Sequence, residues 1–158
     1  MMLLGNILLA LAWAALSGDV SLASLLTGHA IGYLILLMLV TGGVLPRSRY
    51  VGKVSQAFGL AAFFLWELIR ANMRLALDVA TPSYQMTPGI LAVPLDVTQD
   101  AEILLLTMLI NLTPGSVALD VSDDRSVLYV HVMYMLSPDA ARAEIKHGFE
   151  RRVRELLA

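Results

Sequence analysis

Apolar and polar positions divide this chain in two. Residues 1–18 contain no Asp, Glu, Lys or Arg. Read as a helix they reach roughly 27 Å, barely the thickness of a hydrocarbon core. A secretory signal is the competing reading, but its leading region should be positively charged, and here only the terminal amine is. The next stretch, 20–45, contains no Asp, Glu, Lys or Arg, and His29 is its one histidine. As a helix it would run roughly 39 Å and cross with some tilt. Pro46 stops it, and Arg47, Arg49 and Lys53 make a basic loop. A third stretch, 54–77, passes through Phe58, Phe63, Phe64 and Trp66 and is strongly apolar only as far as Ile69. The pattern therefore predicts about three transmembrane helices, over 2–17, 20–45 and 54–77.

Beyond Thr81-Pro82 the texture changes. Thr87-Pro88-Gly89 is turn chemistry, with Gly89 placed to supply a positive φ. Residues 90–96 read as a strand. Asp100 and Glu102 open a helix whose body, 103–110, has Thr107 as its only polar member. Twelve residues of helix span roughly 18 Å, too short to cross a bilayer, and an all-round apolar surface has to be covered on more than one side. Two β-rich runs follow, 116–121 and 127–135, joined by the polar hairpin link Ser122-Asp123-Asp124-Arg125-Ser126. Val127, Tyr129, His131 and Met133 share one face of the second run; Leu128, Val130, Val132 and Tyr134 share the other. Both faces are largely apolar, which predicts a central strand. In the last helix Ser137 is the N-cap, Pro138 the first residue, and Asp139 complements the dipole. Ile145, Phe149, Val153 and Leu156 form its apolar stripe, with Glu150 and Arg154 paired on the wet side.

The expected fold is a membrane protein: an N-terminal transmembrane helical region over 1–80, then a small water-facing α+β domain over 81–158 with split βαβ order β-α-β-β-α. Thr113-Pro114-Gly115 before 116–121 echoes Thr87-Pro88-Gly89 before 90–96, which repeated turn chemistry explains without duplication.

Composition supports the membrane half. Hydrophobic residues make up 58% of the 158 positions and charged residues 15%, against roughly 45–50% and about 25% in soluble domains. With a net charge of −2 the chain is no general nucleic-acid binder. It has no cysteine, which excludes disulfides, thiolate metal sites and cysteine catalysis. Residues 1–80 carry five Lys/Arg against three acids, and 81–158 carry six against ten. The basic loop at 47–53 favours the cytoplasm, but so do Arg70 and Arg74. Both cannot be satisfied if the third stretch crosses fully, so charge leaves the orientation open.

Candidate chemistry is sparse. Glu67 is the one acid in or near a span; it either pairs at the interface with Arg70, three residues on, or serves a proton or cation. Arg70 and Arg74 share its helix face. His29 reads as an interhelical hydrogen-bonding group. Phosphate-binding glycine patterns and zinc spacings are missing. Asp120, Asp123 and Asp124 lack the spacing of a calcium loop and read as a solvated turn. A Ser122, Asp124, His131 triad has no nucleophile elbow. Neither an enzyme activity nor a cofactor is expected.

The run Leu112-Thr113-Pro114-Gly115, then Leu119-Asp120-Val121-Ser122-Asp123-Asp124-Arg125, then Leu128-Tyr129-Val130-His131 resembles the E subunit of Mrp-type (also Mnh or Pha) multisubunit cation/proton antiporters. Pro88-Gly89-Ile90, Ile145-Lys146 and Phe149-Glu150-Arg151-Arg152 extend the likeness, as do the apolar stretches. The resemblance implies a non-catalytic structural or assembly subunit in a bacterial cell-membrane complex that exchanges Na⁺ or K⁺ for H⁺ on the proton-motive force. Its partners would be large antiporter-like and small membrane subunits and the lipid bilayer, with the C-terminal domain cytoplasmic. A proton or cation path through Glu67, or a membrane-anchored adaptor unrelated to antiport, are the alternatives.

Overall fold

The computed structural model describes residues 1–46, 48–81 and 86–158. Arg47 of the basic loop and Pro82 at the change of texture lie outside the described residues. The chain forms two compact units, Met1–Ser55 and Gln56–Ala158. The division falls inside a helix, ahead of the composition change at 80/81.

Three helices come first: α1 (Met2–Ser17), α2 (Leu22–Thr41) and α3 (Arg49–Ala80). By length and composition α2 and α3 could each cross a membrane, and α1 is shorter. Gly18 ends α1 at φ 68, a left-handed conformation that glycine adopts without penalty. Ser21 caps α2, its side chain accepting the Ser24 amide at 3.3 Å. The end of α2 is set by Gly42 and Gly43, the latter at φ 76, before Pro46 is reached. The third helix starts at Arg49, earlier than the apolar pattern implied, with the Ser48 hydroxyl accepting the Tyr50 amide at 3.2 Å.

Helices α1 and α2 pack antiparallel through small residues. A Cβ on Gly28 would fall 3.0 Å from the Ala10 backbone and 2.8 Å from Trp13 Cβ. Ala10, Ala14, Ser24, Gly28 and Gly32 are buried at this seam, while Leu4, Leu8, Leu11, Leu34 and Met38 are exposed on the outside. Small residues inside and large apolar ones outside is the packing that lipid permits, since association there relies on close backbone approach.

The second unit begins within α3 and continues as β1 (Gly89–Pro94), α4 (Asp100–Leu112), β2 (Ser116–Val121), β3 (Val127–Val132), α5 (Pro138–Glu144), a π-helical turn (Ile145–Glu150) and α6 (Arg151–Leu157). The sheet order is β1-β3-β2, with β3 antiparallel to both neighbours. β1 and β2 are thus parallel with β3 inserted between them, the split βαβ arrangement, and β3 is central as its two apolar faces predict. Leu91, Val93, Leu128 and Val130 point to the helical side and are buried with Leu106, Ile110, Phe149 and Val153. From α3, Leu60 joins this core, and Phe63 and Phe64 pack against it.

Helix α4 opens with a capping box: Glu102 Oε2 accepts the Thr98 and Gln99 amides at 3.1 Å each. Ser137 caps α5, accepting the Ala140 amide at 3.1 Å.

Two local readings are corrected. Thr87-Pro88-Gly89 is not a turn: the Thr87 amide donates to the Met133 carbonyl at 3.1 Å and its carbonyl accepts from Met135 at 2.9 Å, so Thr87 makes an isolated bridge to Tyr134 and Gly89 opens β1. Glu150 is not on the wet side. The π-helical turn brings it inward beside Phe149, and it is 2% exposed. There it accepts the amides of Asp96 and Val97, the latter at 3.1 Å, and meets Lys146 Nζ at 2.9 Å. A buried carboxylate is tolerated because these donors replace water.

Candidate functional site

The sequence singled out Glu67, Arg70 and Arg74 on one stretch and Pro114 and Gly115 on another. The second unit brings both sets to one groove. It has a volume of about 100 Å³, room for a few waters, and is lined by these five residues together with Thr113, Tyr134, Glu144, Ile145 and Phe149. Glu67, Arg70 and Arg74 share a face because they are three and four apart on α3. The Pro114-Gly115 turn reaches the groove because Gly115 adopts φ 89, which turns the chain from α4 into β2.

The charges in the groove are matched within it. Arg70 bridges Glu67 at 3.4 Å and Glu144 at 3.2 Å. The Arg74 guanidinium lies over the Tyr134 ring, 5.1 Å from its centroid. The Tyr134 hydroxyl donates to Asp78, and this bond is the main reason the phenol is held above its ordinary value of 10.0. Chemically the arrangement is an interlock of charged and aromatic groups that fastens the α3 face to Tyr134, just past β3, and to Glu144 at the end of α5. Among the described residues no group of three or more His, Asp or Glu is placed to hold a metal ion.

His29 sits elsewhere, in the first unit. Its Nε2 lies 3.2 Å from Asn6 Nδ2 and 3.1 Å from the Tyr50 hydroxyl, and Asn6 Nδ2 donates to that hydroxyl at 2.7 Å. One residue from each of the three helices meets here. Asn6 is fully buried and its Oδ1 has no partner. A Cβ at Gly32 would fall 2.2 Å from that oxygen, so only glycine leaves the space. Tyr33 meets Tyr50 edge-on, with centroids 6.2 Å apart, and its hydroxyl donates to the Val51 carbonyl at 3.2 Å. Asn6 and Tyr50 were not foreseen. The available signal was the spacing Ser24-x-x-x-Gly28-x-x-x-Gly32, which marks the side of α2 that a neighbour approaches.

The remaining motif residues occupy the β2–β3 hairpin and the open face of the sheet. Asp124 accepts Ser122 Oγ at 2.6 Å and Ser126 Oγ at 2.8 Å, and these bonds hold its carboxyl below its ordinary value. Arg125 takes φ 59 in the turn and bridges Asp100 at the start of α4. Asp120 stands across from Tyr129 next to a register shift in the β2–β3 ladder, and His131 stands between Ile90 and Val117. The structure does not join these to the α3 groove.

Comparison with known proteins supplies the context. A family model described as "Na⁺/H⁺ ion antiporter subunit" matches residues 6–156. The E subunit of the Na⁺/H⁺ antiporter of Bacillus subtilis (strain 168) is 35% identical over 151 residues, covering 96% of this chain and 94% of that protein. The E1 subunit of the Na⁺/H⁺ antiporter of Staphylococcus haemolyticus (strain JCSC1435) is 33% identical over the same shares. Among solved structures, a chain in the Mrp complex from Dietzia sp. DQ12-45-1b aligns with a TM-score of 0.50 and 25% identity, over 62% of this chain and 92% of that one. A chain of the membrane-bound sulfane sulfur reductase, an archaeal respiratory membrane complex, shares the fold with a TM-score of 0.54 and 22% identity, over 98% of this chain and 96% of that one.

Proposed function

The chain belongs to the E-subunit family of Na⁺/H⁺ antiporters, and from that membership we propose that it is a non-catalytic structural subunit of a multisubunit antiporter. The complex exchanges Na⁺ or K⁺ for H⁺ across the cell membrane on the proton-motive force. The partners of this chain are the large antiporter-like subunits, the small membrane subunits and the bilayer. It is multi-pass, with the C-terminal domain on the cytoplasmic side, and performs no chemistry on a substrate of its own.

The observation that carries the structural role is the pairing of Glu67. An ion path needs ionisable groups that face a water-filled route or a neighbouring helix at membrane depth. Glu67 instead faces the α+β domain and is held by Arg70, which also holds Glu144. That arrangement stabilises the fold and leaves Glu67 no free route to a transported ion.

The test is Glu67→Gln in the complete complex, scored for antiport in everted vesicles and for co-purification of the large subunits from gentle detergent. The expected result is antiport and assembly close to the parent, with deletion of the whole chain abolishing assembly. Antiport lost from an intact complex would move Glu67 into the proton or cation path. A chain that purifies alone from its native membrane would remove the subunit reading altogether.

A further inference from the structure

We propose that α3 does not cross the membrane: it lies in the plane of the interface, its outer apolar stripe on lipid, and α1 and α2 alone are the crossing pair. This rests on the membrane reading above and fixes how the chain meets the bilayer.

The argument begins with what covers α3. From Phe63 to Asp78, about 24 Å of helix, one face lies against the α+β domain. Phe63 meets Phe149 edge-on with centroids 5.1 Å apart, and the Arg152 guanidinium stands 3.9 Å over its ring. Glu67, Arg70 and Arg74 line the groove, and Asp78 is buried beneath Tyr134. At this level Arg70 and Glu144 are each about half exposed. Charged groups in a hydrocarbon core are costly, so this length of α3 is outside the core. The remainder, residues 49–62, is about 21 Å long. A crossing needs about 30 Å, so α3 cannot span with what is left.

The opposite face of the same helix is apolar. Phe58, Leu65, Trp66, Ile69, Met73 and Leu77 follow helical spacing, and each is more than half exposed. No charged residue falls among them; Arg70 lies at the border. A helix with its polar face engaged and an uncharged apolar stripe with Trp open is the form that settles at the headgroup–acyl boundary. An arginine at the rim then faces the phosphates.

The charge pattern supports lipid as the occupant. If α3 crossed, Arg70 and Arg74 would lie across the bilayer from Arg49 and Lys53, against the positive-inside rule. With α3 in plane, Arg49, Lys53, Arg70 and Arg74 fall on one side. The α1–α2 link, which carries Asp19 and no Lys or Arg, falls on the other. Two crossings also return the chain to the side from which residue 1 starts.

The test uses the full chain in its native membrane. Because the sequence has no cysteine, single cysteines report without background. Ser48→Cys and Thr81→Cys flank α3, and Val20→Cys marks the α1–α2 link. A membrane-impermeant maleimide is expected to label the first two from the same side, with complete protection from the other, and Val20→Cys with the opposite preference. Spin labels on Ala62→Cys and Ala76→Cys, both on the exposed stripe, are expected to collide with dissolved oxygen and not with a water-soluble nickel chelate. Ser48→Cys and Thr81→Cys labelling from opposite sides would show that α3 crosses. Spin labels shielded from both probes would place a protein on the stripe, and labels open to nickel would place water there; each overturns the proposal. Release of the chain by alkaline carbonate would instead overturn the membrane reading on which it rests.

Discussion

Lys146 Nζ stands 2.9 Å from Glu150 and 2.8 Å from Asp96, joining the π-helical turn to the exit of β1. Burial alone would pull Lys146 down, but its hydrogen bonds to Asp96 and Glu150 outweigh this and hold it above its ordinary 10.5. The same lysine is the main reason that Asp96 is held below its ordinary 3.8. A raised lysine contributes stability that is complete below 10.5 and is lost as pH rises through the folded value. A depressed carboxylate contributes stability that is complete above 3.8 and is lost as pH falls through the lower folded value. The thermal midpoint of the detergent-solubilised chain should therefore fall at both extremes, and Lys146→Met should flatten both limbs. A Lys146→Met profile identical in shape to the parent would show that the bridge does not couple to folding.

Glu150→Ala removes the acceptor for two backbone amides and leaves Lys146 without its buried partner. A loss of about 3–5 kcal/mol is expected, the range for breaking a buried charge pair. Chemical denaturation followed by tryptophan fluorescence measures it, and a change below about 1 kcal/mol would contradict the burial of that carboxylate.

Gly115→Val places a β-branched side chain at φ 89, with Tyr134 3.4 Å from the new Cβ. The strain is about 1–3 kcal/mol. It falls on the turn that lines the Glu67 groove, so the yield of assembled complex should drop in a tagged purification. Unchanged yield would show that this turn tolerates another geometry.

The small-residue seam makes a sharp contrast. Gly32→Ala drives a methyl into Asn6, and Gly28→Val pushes on the Ala10 backbone; each should cost about 1–3 kcal/mol through overpacking. Gly52→Ala meets nothing within 4 Å and should be near neutral or slightly stabilising. Thermal midpoints of the three variants in one detergent decide the matter, and equal midpoints would mean that α1 and α2 do not depend on this contact.

The two faces of α3 should also respond differently. Phe63→Ala opens a hole beside Phe149 and Arg152, with an expected loss approaching about 3 kcal/mol and faster proteolysis of the α+β domain. Phe58→Ala removes a ring exposed away from the core and should leave that domain's protease resistance unchanged.

Much of the architecture was legible because it is written in local pattern. The uncharged 1–18 and 20–45, the β2–β3 hairpin, the two apolar faces of β3 and the Ser137-Pro138 start each depend on neighbours within a few positions. What escaped depends on partners far along the chain. The apolar runs of α3 do not announce that Phe63 packs against Phe149 and under Arg152. Glu150 looks solvent-facing on a regular helix, and only the π-helical turn carries it inward. The Asn6, His29 and Tyr50 meeting joins three helices, and no periodicity within one of them announces it. Glu67, Arg70 and Arg74 were recognised as one face, yet what that face touches is set by Tyr134 and Glu144.

The placement of β3 between β1 and β2 governs how the protein is made. During synthesis β1 emerges first, then α4, then β2, and neither edge strand has its hydrogen-bonding partner until Val132 has left the ribosome. Phe149 and Val153, which close the core over Phe63, come later still. Through that interval the inner face of α3 is uncovered while the α1–α2 hairpin is already complete. The α1–α2 hairpin is therefore available to the bilayer before the α+β domain can fold, and that domain closes only after α6 has emerged.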